Sequence, residues 1–168
     1  QTFSTRRMVQ PGAVADWVPK DFNRLLAFEL ASEGKLVWEL GGPRGEQALD
    51  LGGTFFLGPP LPLGETLFCL GERDGEIRLL ALSGGSMSWS QGIAEPEFNV
   101  VTHPGRRLAG LSPSYADGVL VCPTEAGLVV AVDVARRQLL WSYPYRTARS
   151  RLTNNRQCAD VDKVITDS

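Results

Sequence analysis

The stretch "GLVVAVDVARRQLLWSY", residues 127–143, decides how this chain folds. It reads as two short apolar runs either side of a polar turn, with a tryptophan near the end of the second. Standing alone it is one hairpin, whereas recurring it is the unit of a repeat architecture. It recurs. The tryptophans are Trp17, Trp38, Trp89 and Trp141, and 51 and then 52 residues separate the last three. In register, "RLLAFELASEGKLVWEL" (residues 24–40), "RLLALSGGSMSWSQ" (residues 78–91) and "LVVAVDVARRQLLWSY" (residues 128–143) share one plan. Each has a pair of aliphatics, then Ala27, Ala81 or Ala131, a turn, and Trp38, Trp89 or Trp141.

The residues upstream of the second and third copies match as well. "GPPLPLGETLFCLGERDGEIRLLAL" (residues 58–82) lies against "GLSPSYADGVLVCPTEAGLVVAV" (residues 110–132), which sets "TLFCL" beside "VLVCP" and Cys69 beside Cys122. A unit is therefore a strand, a glycine-bearing turn, a strand, a polar turn and a strand ending at Trp. Strands are expected near 25–30, 35–40, 54–57, 66–71, 76–82, 87–90, 118–122, 128–133 and 138–143, with little helix. A further inner strand of the third unit is expected within "AEPEFNVVTHPGRRLAGLSPSY", residues 94–115.

A period of this length built from short up-and-down strands predicts an all-β fold, a β-propeller segment of about three four-stranded antiparallel blades. The competing reading is a sandwich or barrel with coincidental tryptophans. It explains the spacing less well, because residue types coincide at several positions besides. The organisation expected is a flanking segment over 1–22, repeats over 23–145 and a polar flank over 146–168. Since propellers use about 4 to 8 blades, the chain is expected to be part of a larger propeller of seven or eight blades. Its two open sheet faces would be covered by protein partners or by the remainder of a longer polypeptide.

Composition agrees with a packed domain. Of 168 residues 43% are hydrophobic, and 17 basic against 19 acidic side chains leave a net charge of −2. The basic residues are scattered apart from three arginine pairs, so no nucleic-acid footprint and no nucleic-acid partner is expected. Glycine, proline or charge interrupts each apolar run before it reaches the length of a membrane helix, so no transmembrane segment is expected. Three cysteines, Cys69, Cys122 and Cys158, form no metal-like cluster. Equivalent strands of adjacent blades stand too far apart for a disulfide, so Cys69 and Cys122 are expected as buried thiols.

"AVDVARRQLLW", residues 131–141, resembles the tryptophan-docking repeat of quinoprotein-like β-propellers, whose pattern is Ala-x-Asp-x-x-Thr-Gly-x-x-x-Trp. Ala131, Asp133 and Trp141 match, with Arg136 and Arg137 in place of Thr and Gly. Ala27 and Trp38 match with one residue added, Glu29 replacing the Asp and Gly34 keeping the turn glycine. Ala81 and Trp89 match with two residues removed and Ser83 replacing the Asp. The resemblance implies that Ala27, Trp38, Ala81, Trp89, Ala131, Asp133 and Trp141 are structural, each Trp packing between neighbouring blades. It also implies an extracytoplasmic setting, in the periplasm or cell envelope of a bacterium.

Catalysis finds little support in the residues. A quinone-dependent dehydrogenase of this family needs a calcium held by Glu and Asn or Asp, a catalytic Asp, and typically a vicinal cysteine pair. No Cys-Cys pair occurs. Asp74 and Asp117 adjoin glycines and read as turn residues, and the single histidine, His103, sits in the Pro-Gly turn "VTHPGRR" without a ligand at metal spacing. "GGPRGE" lacks the strand and helix of a dinucleotide loop, and "YRTARSR" (residues 145–151) reads as solvated loop rather than an acidic-partner site. No catalytic, cofactor-binding or metal residue is assigned, and no cofactor is expected. The reading is a non-catalytic scaffold for protein–protein interaction. The alternative is a blade segment of a pyrroloquinoline-quinone-dependent oxidoreductase, similar to alcohol dehydrogenases, whose active residues lie on other blades.

Overall fold

The structure is a computed structural model and describes residues 20–45 and 50–145. Trp17, Cys158 and the basic stretch after Tyr145 lie outside the described residues. Eleven strands are described: β1 (Arg24–Glu29), β2 (Lys35–Gly41), β3 (Phe55–Phe56), β4 (Leu61–Leu63), β5 (Thr66–Arg73), β6 (Glu76–Ser83), β7 (Ser86–Ala94), β8 (Ser114–Ala116), β9 (Val119–Pro123), β10 (Leu128–Asp133) and β11 (Gln138–Pro144). The helix described is one turn, α1 (Pro104–Arg107), besides a 3-10 turn at Leu30–Ser32. The fold is all-β, and every strand pairing is antiparallel.

The strands form three sheets, and their topology is that of blades. The last is four-stranded in the order β8-β9-β10-β11, each strand beside its sequence neighbour. The middle sheet has the same plan, with the innermost position shared by β3 and β4, which pair with opposite ends of β5. The sequence shows no sign of β4, because its three residues include Pro62, a residue tolerated on an edge strand alone. The first sheet holds β1 and β2 alone. Its position in the repeat is that of the outer pair of a blade. The chain is a propeller segment of two complete blades and the outer half of a third.

Short turns set the blades. Asp74-Gly75, Gly84-Gly85 and Asp117-Gly118 all carry positive φ at both residues, the backbone of a type I′ hairpin whose twist suits the strands it joins. Burial alternates accordingly. One face of the middle blade places Phe68, Leu70, Ile77, Leu79 and Ala81 against Leu120, Cys122, Val130 and Val132 of the last blade. Its other face places Cys69, Leu80 and Leu82 against Leu40, with Trp38 and Leu25 packed alongside. Two apolar layers thus lie between three sheets, as face-to-face blades require.

Candidate functional site

The three copies of the Ala-to-Trp segment superpose in hydrogen-bond register. Ala27 pairs with Trp38, Ala81 with Trp89 and Ala131 with Trp141. One step beyond each alanine the register shifts, so that Val37, Ser88 and Leu140 are the extra residues of three equivalent β-bulges. The added and missing residues of the first two copies fall entirely in the turns, which hold residues 30–34, 84–85 and 134–137. Strand arms of identical length flank turns of five, two and four residues. In the third turn Asp133 accepts a backbone hydrogen bond from Arg136 at 2.7 Å and a second from its guanidinium at 2.8 Å. These bonds, the backbone one first, hold its carboxyl below the usual carboxylate range.

The indoles differ in what covers them. Trp38 lies over Gly85 of the middle blade so closely that a Cβ there would stand 2.7 Å from its ring. Trp89 packs against the layer between the middle and last blades. Trp141, expected to be largely buried, is 46% exposed. The reason is positional, since the described residues place no sheet beyond β11 to cover it. Leu139, Leu140 and Tyr143 on the same strand are exposed with it. At the opposite end Leu26, Phe28, Leu36 and Val37 are exposed on β1 and β2.

Where the β5–β6 turn meets the loops between blades, charged groups converge around a cleft of about 420 Å³ lined by Arg44, Glu72, Arg73, Asp74 and Asn99. Arg44 donates to Asp74 at 2.6 Å and Arg73 stands 3.5 Å from its other oxygen. The Arg44 hydrogen bond lowers the Asp74 pKa. Beneath them Glu72 and Arg106 are buried, with Arg106 Nη2 2.7 Å from Glu72 Oε2 and Glu125 3.7 Å from Arg106 Nε. The contact is Coulombic rather than a linear hydrogen bond, since neither atom has a hydrogen-bond partner. Glu72 Oε1 accepts from the Val100 amide at 2.9 Å, and the Arg106 guanidinium donates to the Phe98 carbonyl. His103 caps α1, its Nδ1 accepting from the Arg106 amide at 3.3 Å, and stacks on Phe98. Asp117 is a turn residue with φ 47°.

Sequence reasoning missed this lock and two smaller ones. Asn23 pairs its side-chain amide with both backbone groups of Phe56, at 2.8 and 2.7 Å, and Asp50 accepts from the Met87 amide at 3.0 Å. All three join residues remote in sequence, and no local spacing marks them. Among the described residues no three His, Cys, Asp or Glu side chains converge to hold a metal ion. Glu72 and Asp74 of the cleft are already engaged by arginines. These residues do not fit the calcium and quinone site that the oxidoreductase alternative requires, and no step is assigned to them. Cys69 and Cys122 are buried free thiols, each pushed up to about 12 by desolvation. No described helix is long and apolar enough to cross a membrane.

No protein-family model and no curated protein matches the chain. Among solved structures it is similar to BamB from Moraxella catarrhalis, with 18% identity and a TM-score of 0.45 over 65% of this chain and 31% of that one. It is also similar to a europium-containing methanol dehydrogenase, with 20% identity and a TM-score of 0.40 over 55% of this chain and 18% of that one. The chain thus spans less than a third of either. The blades are defined by their own topology and register.

Proposed function

We propose that this chain is a segment of a quinoprotein-like propeller that acts as a non-catalytic scaffold, holding protein partners or the remainder of a longer polypeptide against its open faces. The observation that supports this is the pair of exposed apolar surfaces at the two ends of the row of blades. Leu26, Phe28, Leu36 and Val37 form one, and Leu139, Leu140, Trp141 and Tyr143 the other. Exposed apolar side chains at the ends of a sheet mark interaction surfaces, and large aromatics anchor such contacts. In this reading Ala27, Ala81 and Ala131 leave room opposite Trp38, Trp89 and Trp141 for each indole to dock on the next sheet, and Asp133 fixes its hairpin. An extracytoplasmic location follows from the resemblance.

The test has two arms. A photo-crosslinking amino acid at Phe28 or Tyr143, introduced into the full-length protein in cells, is expected to yield discrete adducts; one at exposed Glu33 in the β1–β2 turn is not. Equal labelling at all three positions overturns the scaffold reading. Titration with pyrroloquinoline quinone and calcium, followed by tryptophan quenching, is expected to show no saturable change. Saturable binding favours the oxidoreductase instead.

A further inference from the structure

The middle blade departs from the last at one row of cross-strand neighbours. Three residues before the docking alanine stand Arg78 in β6 and Leu128 in β10. In the last blade Leu128 is flanked by Pro144 and by Thr124, whose amide donates to the Leu128 carbonyl. Leu128 packs against the apolar layer shared with the middle blade. In the middle blade Arg78 is flanked instead by Gly71 on β5 and Gly92 on β7. An arginine between two glycines thus stands where the last blade has a leucine between two larger residues. Leu80 and Leu82 follow Arg78 on the same side of the strand, so the row fronts the first sheet.

The two glycines make room for polar residues. A Cβ on Gly71 would lie 2.8 Å from the Thr54 methyl, and one on Gly92 would lie 1.7 Å from Glu76 Oε1. Glu76 accepts from Arg78 Nη1, and Ser90 Oγ accepts from Arg78 Nε at 2.8 Å. Beside them opens a cavity of about 290 Å³ whose wall includes Leu51, Thr54, Arg73, Arg78, Leu80 and Met87. Thr54 is buried, and its hydroxyl has no hydrogen-bond partner among the described residues. A guanidinium carries five N–H donors. Arg78 uses two of them on Glu76 and Ser90, and Arg73 stands 3.5 Å from Asp74 through Nε. Both arginines therefore keep donors for a further acceptor.

We propose that this cavity is a binding site for a small monocarboxylate with a short apolar body. Arg73 and Arg78 sit diagonally across β5 and β6 on one face, within reach of a shared acceptor, and their planar forks suit a carboxylate. Leu51, Leu80 and Met87 offer the apolar wall for the rest of the molecule. Charge selects a monoanion. Asp74 and Glu76 line the cavity with the two arginines, and Arg44 holds Asp74 from outside it at 2.6 Å. Three cations against two carboxylates leave one positive charge for the ligand to neutralise. The site goes beyond the scaffold reading and stands apart from both exposed end faces, so its test and the crosslinking test fail independently.

The probe is hexanoate, titrated into the purified full-length protein at neutral pH and followed by ligand-observed NMR, with acetate and inorganic phosphate as comparators. Expected is saturable hexanoate binding, about tenfold or more tighter than acetate because several methylenes are buried, and not displaced by equimolar phosphate. Arg78→Gln is expected to weaken it about tenfold or more, since it removes a charge-assisted pair. Arg73→Gln gives the same loss and carries the test if Arg78→Gln does not fold. Arg24→Gln changes the equivalent arginine of the first sheet, which pairs with Glu39 and lies outside the cavity wall, and leaves binding unchanged. No saturable binding of hexanoate, acetate binding as tight as hexanoate, displacement by phosphate, or equal weakening by Arg24→Gln overturns the proposal.

Discussion

Trp38 and Gly85 show how a single contact carries the packing of two blades. Gly85 has φ 83° and no room for a Cβ beneath the indole. Gly85→Ala therefore meets both left-handed strain and a collision with a ring packed against the apolar layer between the first two sheets. It is expected to cost about 1 to 3 kcal/mol, read as a lower urea midpoint with a red shift of tryptophan emission. Gly64→Ala, at φ 60° with open space around it, keeps the strain and lacks the collision, so it isolates the packing term. The buried thiols make a second residue-scale prediction. Cys69 and Cys122 ionise near 12 in the fold and near 9.0 when exposed. Below pH 9 both states keep the proton and the thiols leave stability unchanged. Above it the unfolded chain loses protons that the folded chain retains, so stability falls as pH rises from about 9 toward 12. Urea midpoints measured across that interval should fall less steeply in a Cys69→Ala/Cys122→Ala variant than in the parent. The same burial predicts no reaction with a thiol reagent at pH 8 until denaturant is added, Cys158 being replaced by Ser.

At the scale of elements the sequence was legible wherever the signal was local. Alternating apolar residues closed by short polar or glycine-bearing turns located the pairs β1–β2, β5–β6–β7 and β9–β10–β11 to within a few residues. The Ala-to-Trp spacing looked irregular because turn length varies while the strand arms do not. The bulges at Val37, Ser88 and Leu140 left no mark, since a bulge is a register shift between strands rather than a residue type. β4 and α1 were missed for a related reason: Leu61–Leu63 and Pro104–Arg107 are held by their surroundings, not by propensity. The segment containing α1 is tied to the middle blade by Glu72 and Arg106. Arg106→Met leaves the Glu72 carboxylate buried without its cation, for which a loss of about 3 to 5 kcal/mol is expected. Glu72→Leu combined with Arg106→Met removes both charges and should recover much of that loss. Thermal unfolding of the single and double variants checks it, and an additive double variant would show that the two side chains do not act as a pair.

For the whole molecule, the legible part was the repeat and the illegible part was what closes it. Sheets in a propeller are stable because each face is covered by the next, and among the described residues nothing covers the two end faces. Leu139, Leu140, Trp141 and Tyr143 at one end, and Leu26, Phe28, Leu36 and Val37 at the other, are 44% exposed or more. Trp141 and Tyr143, opposite Ala131 and Val129, share the outer face of the last blade, and Leu26 and Phe28 share the outer face of the first sheet. Patches of several hundred square ångströms are about the limit that soluble monomers carry. The β11 end also presents an edge strand whose seven residues are all exposed, the geometry that invites pairing with another chain. The isolated 168-residue chain is therefore expected to bind an apolar dye strongly and to elute above the size of a monomer. Leu140→Lys with Tyr143→Lys should reduce both effects, because charge on an edge strand opposes apolar packing and strand pairing there. Substituting Leu36→Lys with Val37→Lys should do the same from the other end, and the two pairs combined should approach a monomer. A parent chain that elutes as a compact, cooperatively folded monomer without dye binding would show that the faces are already covered. In that event the flanking residues of the chain itself would be what covers them.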